Sequence, residues 1–300
     1  MAECGRFAPT PSGRMHLGNV FSALLAWLSV RAAGGELVLR IEDLDTLRCS
    51  AENAEILKDD LRWLGLAWDR EQPDQSARSE YYAGILDRLR GEGFVYPCWC
   101  TRGDLKNAAN APHASDGHPI YPGTCRDLTE EERGAKAKVR APLWRLRVPD
   151  GDISFIDGHY GAYAENLARE CGDFILRRAD GVFAYQLAVS FDDMDMGISR
   201  VVRGRDLLSS TARQIWLIQT LGGSIPQYYH APLIVGTDGR KLSKRYGELG
   251  AEAMLQKHSP EEIIGRLAGL LGISGGKPES AAELLGHFDW GKVEKNNILI

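Results

Sequence analysis

Six cysteines in 300 residues are too few, for a chain this long, to staple a disulfide scaffold. Positive charge is also short: 36 Lys and Arg against 41 Asp and Glu give a net charge of −5, so the chain carries no global footprint of a nucleic-acid binder. A local basic surface remains compatible with that balance. No apolar run approaches the ~18 residues of a membrane span. The first residues, Met1 to Cys4, lack the basic start and apolar core of a secretory leader. A cytoplasmic protein without a membrane contact is expected. What is present is ordinary for a globular chain, 44% hydrophobic and 26% charged, with length for one large domain or two unequal ones.

Punctuation is concentrated at the start. "GRFAPTPSGRMHLGN" (residues 5–19) holds two prolines, three glycines and His16. A short extended run at Arg6, Phe7 and Ala8 is stopped by Pro9 and Pro11. Leu17, Val20, Phe21, Leu24, Leu25 and Leu28 then recur at helical spacing, and Gly34-Gly35 ends the helix. "ELVLRIED" (36–43) reads as a buried strand, so the segment forms a βαβ unit. Two further helices are predicted over about 50–64 and 79–90, each near a capping Ser. From 94 to 125 periodicity fades among three cysteines and four prolines, and "NAANAPHASDG" (107–117) predicts a mobile loop. "PLWRLRVPDGDISFIDGHYG" (142–161) alternates like a small antiparallel unit. A helix-and-strand pattern resumes near Asp173, and the stretch from about Glu252 is helical.

The fold class read from this order is α/β, a nucleotide-binding core with an insertion. Its expected parts are residues 1–93 and 185–250 as the two halves of the core, 94–184 as the insertion, and 251–300 as a helical appendix.

Two stretches carry chemistry. At 5–19, Gly13 and Gly18 allow close backbone approach, and the free N–H groups of a helix beginning near Leu17 suit a polyphosphate, with His16 at that end. At 236–247, "GTDGRKLSKRYG" places Lys241, Lys244 and Arg245 beside Ser243, a cationic loop able to clamp a triphosphate and follow charge onto leaving pyrophosphate. Seen alone, either reads as a plain turn or a solvated basic loop. A third cluster, Cys98-x-Cys100 and Tyr121-x-x-x-Cys125, offers three thiolates for a closed tetrahedral metal site.

Together the first two stretches resemble the paired signatures of class I aminoacyl-tRNA synthetases. His16-Leu17-Gly18-Asn19 stands for the first, and Lys241-Leu242-Ser243-Lys244-Arg245 for the second. "LRIEDLD" and "VVRGRDLL" narrow the resemblance to the glutamyl branch, over residues 6–245. It implies a Rossmann-like core and formation of an aminoacyl-adenylate. His16 and Lys244 are then catalytic, and His16, Gly18, Asn19, Lys241, Ser243 and Lys244 meet ATP, taken with Mg²⁺. Arg6, Phe7, Ala8, Pro9, Thr10, Glu42, Tyr185 and Arg203 are implied to contact glutamate. Asp43 and Asp45 rival Glu42, and Met194 falls where many relatives have histidine.

"YPCWC" and "YPGTC" resemble the zinc-binding insertion of the glutamyl-queuosine tRNA(Asp) synthetases. That resemblance implies one structural Zn²⁺ on Cys98, Cys100, Cys125 and Tyr121, with His113 and His118 as rivals for the fourth position. Only 55 residues follow Arg245, little room for an anticodon-binding region, as in that truncated group. Transfer of glutamate to queuosine in tRNA(Asp), by a monomer, is the activity implied. The alternatives are a compact glutamyl-tRNA synthetase charging tRNA(Glu), an adenylate-forming ligase with a non-tRNA acceptor, and a silent tRNA-binding module.

Overall fold

The computed structural model describes residues 3–107, 120–236 and 257–300. Strand β1 (Cys4–Phe7), helix α1 (Leu17–Ala32) and strand β2 (Glu36–Leu39) form the expected unit, with β1 and β2 parallel from Cys4↔Glu36 to Phe7↔Leu39. Helix α1 ends where predicted: the Gly35 N–H donates to the Val30 carbonyl at 3.0 Å and the Gly34 N–H to that of Arg31 at 2.9 Å, a Schellman pair. Strand β2 is shorter than the predicted run, yet its backbone stays tied beyond Leu39: Arg40 N–H donates to the Phe7 carbonyl at 3.0 Å and Glu42 N–H to that of Pro9 at 2.9 Å.

Helix α2 (Ala51–Trp63) is capped by Ser50, whose side chain accepts the Asn53 N–H. A two-residue strand, β3 (Arg70–Glu71), follows. Helix α3 (Ser79–Gly91) also lies where predicted, but Ser79 does not cap it. Its hydroxyl donates to the Ser76 carbonyl at 3.1 Å, and Arg78 stands at the N-cap.

The middle of the chain divides between two sheets. Strands β4 (Val95–Cys98) and β5 (Leu143–Leu146) pair antiparallel. Strands β6 (Asp152–Asp157) and β7 (Gly161–Asn166) make a hairpin. Strand β8 (Phe174–Arg177) joins the other side of β5. The alternating run at 142–161 is therefore not one unit. Its first strand lies in the small sheet, and its second pairs in parallel with β10 (Gln227–Ala231) at Asp157↔Tyr228. With β9 (Arg200–Gly204), the seven-stranded sheet runs β3-β2-β1-β9-β10-β6-β7, parallel except for the last pair.

Two large cores hold the described structure together. One packs α1 (Leu24, Leu25, Leu28) and α2 (Leu57, Leu61) against Ile263, Ile264 and Leu267 of the helix Pro260–Leu270. Each such side chain, fully buried, contributes roughly 1.5–3 kcal/mol. The second gathers Tyr82, Leu86 and Leu89 of α3 with Leu146, Phe174, Leu187 and Leu217. Met194 packs at its edge.

The C-terminal stretch carries helix at both segments the sequence marks, while residues 251–256 lie outside the described residues. Among the described residues of that stretch, helices run over Pro260–Leu270 and Ala281–Leu284, and Ile298–Leu299 forms β12, parallel to β11 (Ile234–Val235). Among the described residues, no helix is long and apolar enough to cross a membrane.

Candidate functional site

A cavity of about 590 Å³ opens at the carboxyl ends of β1, β9 and β10. Strand β1 pairs with β2 on one side and β9 on the other, so the crevice lies where the chain direction of assembly reverses, the usual ligand position in a parallel sheet. Its wall contains Arg6, Phe7, Ala8, Pro9, Thr10, His16, Gly18, Asn19, Glu42, Tyr185 and Arg203. These are the sequence-predicted residues of the N-terminal motif and all the predicted glutamate contacts. Lys241, Ser243 and Lys244 lie outside the described residues, but Leu233 and Ile234, just before that stretch, line the same cavity.

His16 is the N-cap of α1, and Asn19 Oδ1 accepts the His16 backbone N–H at 3.0 Å. Asn19 therefore fixes the helix entry, a role its place in the motif conceals. A Cβ on Gly18 would lie 3.0 Å from His16 Cε1, so glycine here makes room for the imidazole. Gly13, also in the wall, has φ +130, a conformation that favours glycine.

Beneath the cavity lies an ionic cluster that sequence reasoning missed. Arg40, wholly buried, pairs with Asp193 at 2.8 Å, Glu42 at 3.1 Å and Asp192 at 3.8 Å. Arg6 reaches Asp193 at 3.4 Å and donates to the Val202 carbonyl at 3.2 Å. Asp192 also accepts from Arg78 at 2.9 Å, Gln75 at 2.8 Å and the Tyr82 hydroxyl at 2.8 Å. The helix Tyr185–Asp195 supplies both aspartates and, at its first turn, Tyr185.

The cluster sets the charge on Glu42. Burial pushes its carboxyl above the usual range, and Arg40 and Arg6 pull it back only in part. Asp193 goes the other way: burial would raise it, but Arg6 and Arg40 together hold it below the usual range. The rivals of Glu42 are otherwise engaged. Asp43 accepts the Ser76 N–H at 2.7 Å and its hydroxyl at 2.6 Å, and Asp45 is exposed beside Arg48.

A second cluster sits at the end of β4. The sulfurs of Cys98, Cys100 and Cys125 lie within 4.8 Å of one another. The Tyr121 oxygen approaches Cys98 Sγ at 3.4 Å and Cys100 Sγ at 3.9 Å, and accepts the Cys125 N–H at 2.7 Å. The three sulfurs could hold one metal ion, and the Tyr121 oxygen lies beside them. Burial pushes the Cys100 thiol up to about 12, a penalty a bound cation would reverse. Arg145, which donates to Cys98 Sγ at 3.4 Å and lies 3.7 Å from the Tyr121 ring, adds a neighbouring positive charge. His113 and His118 lie outside the described residues.

The family model described as the catalytic domain of class I tRNA synthetases (E and Q) matches residues 4–298. The chain belongs to this family. Its α/β sheet is the class I synthetase fold, and ATP-dependent ligase chemistry goes with the family. Among curated relatives, a glutamyl-Q tRNA(Asp) synthetase of Symbiobacterium thermophilum is 47% identical, over 99% of this chain and 95% of its own length. One from Nitratidesulfovibrio vulgaris is 49% identical over 90% of this chain and 86% of its own. Among solved structures, a glutamate tRNA ligase of Elizabethkingia meningosepticum, in complex with its amino acid, superposes with a TM-score of 0.85 at 27% identity. That match covers all of this chain and 67% of that one.

Proposed function

We propose that this synthetase-family chain activates glutamate with ATP and transfers it to the queuosine base in the anticodon of tRNA(Asp). The carrying observation is one cavity whose wall joins Arg6, Glu42, Tyr185 and Arg203 to the His16 helix start. The names of the relatives at 47% and 49% identity supply the acceptor.

Glutamate carries two carboxylates and one ammonium, and the wall offers arginines and one buried acid to match. In the first step a glutamate α-carboxylate oxygen attacks the α-phosphorus of ATP, and the bond to pyrophosphate breaks. His16 and Lys244 would stabilise the phosphates, with Gly18, Asn19, Lys241 and Ser243 around them, and ATP would enter with Mg²⁺ as its counter-ion. In the second, a hydroxyl of the queuosine ring attacks the activated carbonyl carbon, AMP leaves, and the hydroxyl proton is lost. No protein nucleophile is required, so positioning and electrostatics carry the rate.

Cys98, Cys100, Cys125 and Tyr121 would hold a structural Zn²⁺, since four protein ligands leave no open position. It would brace the region 94–184, read as the inserted module beside the core halves 1–93 and 185–250 and the C-terminal 251–300. A cytoplasmic monomer fits this reading. Zinc measured by mass spectrometry on purified Cys98→Ser and Cys125→Ser should fall from one per chain to a small fraction. Full occupancy in both contradicts the ligand set.

The activation step is tested by glutamate-dependent ATP–pyrophosphate exchange without tRNA. The wild type should exchange, and Lys244→Ala should slow it by about a hundredfold or more. Near-normal exchange would remove Lys244 from the mechanism, and an absolute need for tRNA would contradict activation as a separate step.

A further inference from the structure

Arg203 stands at the cavity wall held only by neutral acceptors. Its Nε–H donates to His230 Nε2 at 3.1 Å, and Nη1 to Gln214 Oε1 at 2.6 Å. Nη2 donates to Thr211 Oγ1 at 2.8 Å and to the Leu207 carbonyl at 3.3 Å. Among the described residues no carboxylate lies within ion-pair distance of it, whereas Arg6 and Arg40 are both paired. A buried guanidinium left without a carboxylate is a site prepared for an anion.

The acceptor at Nε carries a condition. His230 Nε2 accepts only if it bears no proton. The other ring nitrogen, Nδ1, faces Asp157 Oδ2 at 2.6 Å, and an ionised carboxylate can only accept, so the proton sits on Nδ1. Asp157 is itself fixed, because its Oδ1 accepts the backbone N–H groups of His159 at 3.0 Å, Tyr160 at 2.8 Å and His230 at 3.4 Å. Burial pulls the His230 pKa down to about 4, which agrees with a neutral ring. The sheet supplies the alignment: Arg203 and His230 are register partners on β9 and β10, and Asp157 ends β6 beside β10.

We infer that Asp157 and His230 are positioning residues for the amino-acid substrate. Asp157 sets the imidazole tautomer, and His230 holds Arg203 against the cavity without neutralising it. The guanidinium charge is thereby kept for a substrate carboxylate. This rests on Arg203 being an amino-acid contact, as proposed above.

The test is exchange kinetics on the full chain, read as separate KM values for glutamate and ATP. Asp157→Asn keeps one oxygen for the three backbone N–H groups but presents an NH₂ to Nδ1. That forces the ring proton onto Nε2, where it opposes the Arg203 N–H. Glutamate KM should rise about ten- to a hundredfold, the worth of one hydrogen bond to a charged group, while ATP KM moves less than about twofold. His230→Gln can turn its amide oxygen to Arg203 unaided, so adding Asp157→Asn in that background should cost less than about twofold more. An Asp157 that merely staples the β6–β7 hairpin would cost the same in both backgrounds. It would also lower the active fraction, which leaves KM unmoved. Should Asp157→Asn yield no folded enzyme, His230→Asn, which keeps the bond to Asp157 and loses the one to Arg203, must raise glutamate KM alone. An unchanged glutamate KM in these variants, with a raised one in Arg203→Gln, overturns the inference and leaves the proposed function standing. An unchanged glutamate KM in Arg203→Gln removes the amino-acid reading of that residue itself.

Discussion

Arg40→Met should lose about 3–5 kcal/mol of stability, the usual cost of removing one partner from a buried ion cluster. The side chain is 0% exposed and is the point where Glu42, Asp192 and Asp193 meet. Asp192 would keep Arg78, Gln75 and Tyr82, and Asp193 would keep Arg6 at 3.4 Å. Glu42, whose carboxyl burial already pushes up, would lose its hydrogen-bonded cation. In the variant Glu42, already raised by burial, rises further without Arg40, so the folded form binds that proton more readily as pH falls, while Asp193 keeps Arg6. In the wild type Asp193 is depressed, and its contribution fades as pH drops through that lowered value. The stability gap measured by urea unfolding should therefore narrow from about pH 7 towards about pH 5. A loss under about 1 kcal/mol at neutral pH, or a gap that widens in acid, contradicts the cluster's assigned role.

Glu42→Gln should lower kcat/KM for glutamate in the exchange reaction by about a hundredfold, since among the described residues it removes the buried acid of the wall that the proposed reading sets against the substrate ammonium. The same substitution at its rivals, Asp43→Asn and Asp45→Asn, should change glutamate KM by less than about threefold. Asp43 is occupied by Ser76, and Asp45 is exposed beside Arg48. An equal loss at Asp43 would move the ammonium site off Glu42.

The sequence made the cavity wall legible because most of it is local. Residues 5–19 contribute a strand end, a turn and a helix start within one short segment, and Glu42 follows directly from the neighbouring strand. Tyr185 and Arg203 were within reach only through the resemblance. Arg40 lies two residues from Glu42 but carries no local signal, because its partners Asp192 and Asp193 are some 150 residues away and their meaning lies in burial. The Asp157–His230–Arg203 line is hidden for the same reason: its members share no motif and are aligned only by strand order. That order hinges on one contact, Tyr228↔Asp157, which takes the second half of an alternating run out of the small sheet and into the large one. No periodicity records such a switch. The Ser50 and Ser79 contrast is a smaller case: both are serines near a helix start, but only Ser50 stands one residue outside its helix, where a side chain can accept from N3.

On the proposed function, the activated glutamate goes to the queuosine base of tRNA(Asp). Incubating the enzyme with ATP and labelled glutamate on queuosine-containing tRNA(Asp), unmodified tRNA(Asp) and tRNA(Glu) tests it most directly. Label should appear only on the queuosine-containing tRNA(Asp), in the anticodon fragment after nuclease digestion. Stable label at the 3′ end of tRNA(Glu), or equal label on unmodified tRNA(Asp), would contradict it.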